Sequence, residues 1–76
     1  MWNMTTRDIS DMAPLGKTLT VKELQDDEVN DTISGLKELG FEEDMFLSEP
    51  EYRTFSRYNY TEDTFTEVII AKEIEL

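Results

Sequence analysis

Histidine and cysteine are both absent from this chain of 76 residues, which removes the commonest general base, the commonest metal ligand and the strongest side-chain nucleophile before any spacing is considered. Carboxylates, hydroxyls and one short run of aromatics and arginines remain. The serines have no base partner legible in the sequence. With 18 acidic residues, carboxylate pairs occur at almost every spacing, so none stands out as a general acid and its base. A chain this short also leaves little volume for a catalytic pocket. The expectation is a protein that is not an enzyme and carries no cofactor.

Two stretches could still bind something. In "DDEVNDTISGLKE" an EF-hand reading starting at Asp26 finds oxygen ligands at Glu28 and Asn30. It then meets Asp31 where the loop needs glycine and Lys37 where it needs the bidentate glutamate. The calcium motif fails, and no metal site is expected. In "EYRTFSRYNY", residues 51 to 60, Tyr and Arg interleave as they do in a platform that stacks single-stranded nucleic acid. Such platforms sit in positive grooves. Here the local sum is +1 inside a chain of net charge -11, and phosphate repulsion opposes direct binding.

The charge is concentrated. Residues 1 to 25 balance three acids with three bases, whereas residues 26 to 51 carry ten acids against Lys37, and the remainder sums to -2. On a helix with Val29 at the centre of its apolar stripe, Asp27, Asp31 and Glu38 project to the opposite side. They are separated by about 6 Å and about 10 Å along the axis, comparable to phosphate spacing on a nucleic-acid strand. Asp26, Glu28, Glu42, Glu43 and Asp44 extend the same acidic surface. A solvated helix face accounts for these residues one at a time. Together with the small size they fit a surface that occupies a basic groove.

In size and charge the chain resembles phage-encoded inhibitors of host nucleic-acid enzymes, such as anti-restriction, anti-CRISPR and uracil-DNA glycosylase inhibitor proteins. The resemblance implies a stoichiometric inhibitor whose partner is a nuclease, glycosylase, polymerase or similar protein with a basic surface. Arg53, Phe55 and Arg57 are expected as second-rank anchoring contacts, an exposed apolar group flanked by two cations. Two alternatives are an antitoxin or immunity protein covering a basic toxin, and a small assembly subunit that uses Trp2, Met4, Met45 and Phe46.

Positioning these residues calls for helices first. "MTTRDI" offers Thr5 as N-cap and Asp8 at N3, with Pro14 and Gly16 as a stop, so the grammar predicts a short helix near 6 to 13. "LTVKEL" repeats it with Thr20 and Glu23, and "LKELGF" ends a helix with Gly40 in the left-handed position and Phe41 folding back. A second helix over 21 to 39 follows. The alternative for 17 to 24 is an edge strand before a helix that begins near Asp27.

The C-terminal third alternates instead. "TEVIIAKEIEL" places Val68, Ile70, Ile74 and Leu76 on one face and Glu67, Glu73 and Glu75 on the other. In "EYRTFSRYNY" the same parity groups Tyr52, Tyr58 and Tyr60 opposite Arg53, Phe55 and Arg57. A hairpin loop of three or five residues puts the tyrosines on the face of Val68 and Ile70, as core; a loop of even length mixes the faces. The fold expected is one α+β domain over 1 to 76, a helical part at about 5 to 40 packed on a β-hairpin at about 51 to 76. Capping boxes at Ser48/Glu51 and Thr64/Glu67 leave an all-α bundle as the alternative.

No run of residues approaches a membrane span, and "MWNMTTRDIS" lacks the basic start and apolar run of a signal peptide. A cytoplasmic protein is expected, in the host cytoplasm if phage-encoded. Against that, Asn3, Asn30 and Asn59 all lie in glycosylation sequons.

Overall fold

The computed structural model describes residues 1–10 and 13–73, with the side chains of 13–15 not described. The chain runs β1 (Trp2–Ser10), β2 (Ala13–Leu24), α1 (Asp26–Glu38), β3 (Glu42–Glu43), β4 (Tyr52–Asn59) and β5 (Thr64–Lys72). The strands form one five-stranded antiparallel sheet in the order β2-β1-β5-β4-β3.

This overturns both fold expectations, since the protein is neither a pair of helices on a hairpin nor an all-α bundle. Residues 6 to 10 lie in β1 and residues 13 to 24 in β2, so the helices expected near 6 to 13 and through 21 to 25 do not form. A capping box contributes about 1 kcal/mol to a helix that must first be nucleated. In the sheet, β1 gains ladders on both sides, Met4 opposite Lys22 and Ile70, Thr6 opposite Thr20 and Val68. The β-branched run Thr18, Thr20, Val21 adds its own preference for a strand. The edge-strand alternative for 17 to 24 is the one the chain adopts.

β2 is irregular in a way its sequence explains. Its pairing with β1 slips between Thr6 and Arg7 and again between Asp8 and Ser10. Near the second slip Gly16 has φ +88°, and a Cβ there would lie 2.6 Å from Arg7 Nη2. Glycine satisfies both the backbone and the close approach of the guanidinium.

The helix begins at Asp26, with Glu28 Oε1 accepting the Gln25 N–H at 3.0 Å and three acids in the first turn facing the positive end of the helix dipole. It ends as expected. Gly40 has φ +91°, its N–H donates to Lys37 O at 3.1 Å, and Phe41 N–H donates to Leu36 O at 3.0 Å. That pair of bonds is the Schellman arrangement.

Thirteen helical residues span about 20 Å, and four strand spacings cover about 19 Å. One helix therefore suffices to carry the chain from the β2 edge to the β3 edge over a single face of the sheet. Under it lies the core: Leu24, Val29, Ile33, Phe55, Val68 and Ile70, with Trp2, Met4, Leu36 and Phe41 packed around them. Trp2 is tied to the start of the helix by its indole N–H, which donates to Asp26 Oδ1 at 2.9 Å.

The β4–β5 loop is residues 60–63, with Asn59 opposite Thr64. Four residues is the even length that exchanges the faces. Phe55 pairs with Val68 and is fully buried beneath the helix, while Tyr52, Tyr58 and Tyr60 fall on the other face and stay exposed. The expectation of an exposed Phe55 and core tyrosines is thus reversed by one hairpin register. Val68 and Ile70 do share the buried face; Ile74, Glu75 and Leu76 lie outside the described residues.

Beyond β3 the chain shields the rest of the β4 edge. Asp44 N–H and Ser48 Oγ–H both donate to Thr54 O, and Thr54 N–H donates to Ser48 Oγ at 3.0 Å. Thr54, only 3% exposed, has its outward backbone groups satisfied although β3 stops short of it. Among the described residues no helix is long and apolar enough to cross a membrane.

Candidate functional site: the acidic helix face and the open face of the sheet

The expected acidic surface divides into two groups. Asp26 accepts the Trp2 indole and Glu28 accepts the Gln25 N–H. Asp44 Oδ1 accepts the backbone N–H groups of Phe46 and Leu47 at 3.0 and 3.2 Å, shaping the turn that follows β3. Glu43 forms a two-pronged ion pair with Arg53, its Oε1 accepting Nη2–H at 2.8 Å and its Oε2 accepting Nε–H. These four carboxylates have structural partners.

Asp27, Asp31, Glu38 and Glu42 are different. All four are exposed, and none has an ion pair or side-chain hydrogen bond among the described residues. Because α1 includes 27, 31 and 38 in one uninterrupted helix, the three remain on the side away from Val29 and Ile33, at the separations the sequence implies. Their arrangement can repel phosphate and attract a cationic surface; it holds no preformed metal cage. Among the described residues no group of three or more acids is placed to hold a metal ion.

The second-rank anchors are not available as expected. Phe55 is in the core. The Arg53 guanidinium is committed to Glu43 and lies 5.9 Å from the Phe55 ring centroid. Arg57 donates from Nη1 to Leu39 O at 2.7 Å and stacks 5.4 Å from the Phe41 centroid, placing a cation at the negative end of the helix. Arg57 fastens the helix exit to β4, and Arg53 fastens the short β3 to it.

The Glu43–Arg53 pair also perturbs titration. Hydrogen bonding to Arg53 is the leading reason that the Glu43 carboxyl lies below its ordinary value of 4.5, with partial burial opposing the shift. The same bond raises Arg53.

Of the apolar groups expected for an assembly subunit, Trp2 and Met4 pack against the core, whereas Met45 and Phe46 are exposed in the turn after β3, followed by Leu47, with Phe46 wholly in solvent. Leu47 and an aromatic cleft escaped sequence reasoning. On the sheet face opposite the helix, Tyr58 and Phe65 sit directly across β4 and β5, and the Tyr60 ring meets Tyr58 edge-to-face at 4.8 Å. These rings, with Gly40, Glu42 and Ser56, line an open cleft of about 340 Å³. Density of tyrosine near 58 to 60 was the available signal, but the loop length decides which face receives it.

No family model, no curated protein and no solved structure matches the chain.

Proposed function

We propose that this protein is a small acidic binding protein that acts without catalysis, occupying a basic site on a nucleic-acid-processing protein in the manner of a nucleic-acid mimic. The observation that carries the reading is the row Asp27, Asp31 and Glu38. These carboxylates have no ion pair or side-chain hydrogen bond among the described residues, and they face solvent from one helix. Net charge of -11 in a chain of 76 residues would steer it toward a positive groove and speed association at low salt. Action in the cytoplasm, on a host enzyme if the chain is phage-encoded, is part of the same proposal.

The acidic contribution comes from fewer residues than the composition implies, because Asp26, Glu28, Glu43 and Asp44 stabilise the fold. Replacing Asp27, Asp31 and Glu38 by Asn, Asn and Gln is expected to abolish binding of the target retained from host lysate. The variant should keep a cooperative thermal transition, since the three make no side-chain contact that holds the fold and only Asp27, in the first turn, gives up a helix-dipole contribution of about 0.3–1 kcal/mol. Target retention by the folded variant at an unchanged dissociation constant would end the mimic reading.

A second reading, an assembly subunit, is favoured by one specific observation: Met45, Phe46 and Leu47 are 75%, 101% and 57% exposed on consecutive positions. An interface built on them would resist salt, whereas the acidic row would release its partner steeply as ionic strength rises. Salt-stepped elution separates the two, and an antitoxin role would share the salt response but select a toxin.

A further inference from the structure

We propose that the cleft between Tyr58, Tyr60 and Phe65, walled by Glu42, receives a cationic side chain, lysine or arginine, from the protein partner. The proposal rests on the reading that the partner is basic, and it concerns a surface separate from the acidic helix row.

The geometry begins with the hairpin register. Tyr58 and Phe65 face each other across β4 and β5, Tyr60 turns its ring against Tyr58 with an interplanar angle of 71°, and Glu42 enters from β3 opposite Ser56. Gly40 contributes no side chain at the rim, so the mouth stays open beside the helix exit. Tyr60 is 88% and Tyr58 41% exposed, so Tyr60 above all is spent on no core packing. A volume of about 340 Å³ lies at the small end for ligand sites and suits one side chain better than a cofactor.

Chemistry selects the occupant. Aromatic faces present negative charge and attract ammonium or guanidinium groups, and a carboxylate at the wall adds a direct counter-charge. A purely apolar side chain would gain the ring contacts but leave Glu42 facing it without a partner, at a desolvation cost. A nucleobase would bring its phosphate toward Glu42 and a molecule at -11, which opposes stacking. A cation satisfies both the rings and the carboxylate.

The test titrates the folded full chain with Nα-acetyl-lysine amide, Nα-acetyl-arginine amide and the uncharged Nα-acetyl-norleucine amide at constant ionic strength, following aromatic proton–carbon NMR signals. Saturable shifts at Tyr58, Tyr60 and Phe65 are expected with one or both cations and not with norleucine. Tyr60→Ala should weaken the response about fivefold; Tyr60→Phe, which keeps the ring, should preserve it; Glu42→Gln should reduce it severalfold. Amide spectra of each variant report that the fold is retained. Equal response to norleucine, no saturable response to either cation, or an unchanged response in folded Tyr60→Ala would overturn the proposal. The Asp27/Asp31/Glu38 triple variant must retain the cleft response, so failure of the helix-row reading and failure of the cleft are separable.

Discussion

Replacing Arg53 by Met keeps an unbranched aliphatic side chain and removes the guanidinium from Glu43 and from its place 5.9 Å from the Phe55 ring centroid, which makes it a probe of how the short β3 edge is held. The wild-type pair has two charge-assisted hydrogen bonds, each of a kind worth about 1.5–3 kcal/mol. They share both partners and do not add in full. The Glu43 side chain is 12% and that of Arg53 30% exposed, so solvent screens the pair and the loss of about 3–5 kcal/mol seen for fully buried pairs is an upper bound. A destabilisation of about 2 kcal/mol is expected. For a domain of this size that lowers the melting temperature by about 8–16 °C, a large share of a total stability of about 4–11 kcal/mol. The pH dependence gives a sharper test. Because the folded Glu43 lies below its ordinary 4.5, its contribution is fully present above pH 4.5 and is lost as pH falls through the depressed folded value. In the variant, burial without Arg53 favours the protonated carboxyl, so this group gains stability on acidification. The gap between wild type and Arg53→Met should therefore be widest near pH 7 and close below pH 4.5, as measured by urea unfolding at each pH. A gap under about 0.5 kcal/mol at pH 7, or one that stays constant down to pH 3, would refute the role assigned to the pair.

Two further perturbations test the reversed hairpin face and the covered edge. Phe55→Ala should cost about 3–5 kcal/mol, moving the urea midpoint far down or unfolding the chain, because the ring is wholly buried under α1. A stable variant that lost only partner binding would restore Phe55 as a surface anchor. Ser48→Ala should cost about 1–2 kcal/mol by leaving the Thr54 N–H unsatisfied at a residue only 3% exposed. It should also raise hydrogen exchange at that amide; unchanged exchange at Thr54 would show that Ser48 does not shield the edge.

The acidic row proposed to meet the partner gains meaning from what surrounds it. Arg57 and Arg53 fix the helix exit and β3 to β4, so the row from Asp27 to Glu38 and the cleft beside Glu42 are presented from one rigid body. A partner that engaged both would read a row of carboxylates on the helix and an aromatic cleft on the opposite sheet face. Their contributions to binding should therefore be close to additive, because they share no side chain.

By itself the sequence determined the features set by short-range chemistry. The absence of histidine and cysteine, the concentration of acids between 26 and 51, the Gly40 helix stop and the alternation through Val68 and Ile70 are local facts, and local physics suffices for them. The placement of Asp27, Asp31 and Glu38 on one side of a helix was also legible, because it follows from helical periodicity alone. Only the tertiary structure decided the N-terminal half. Thr5 with Asp8 and Thr20 with Glu23 spell helix starts, yet β1 becomes the strand that β2 and β5 both need, and ladders on two sides outweigh a cap of about 1 kcal/mol. It likewise decided which of the 18 acids are free to meet a partner, since Glu43 and Asp44 find theirs through β3 and its turn. The reversal of Phe55 and the tyrosines has the simplest cause. A strand's side chains alternate with period two, so a four-residue loop at 60–63 in place of three or five exchanges the two faces of β4 relative to β5.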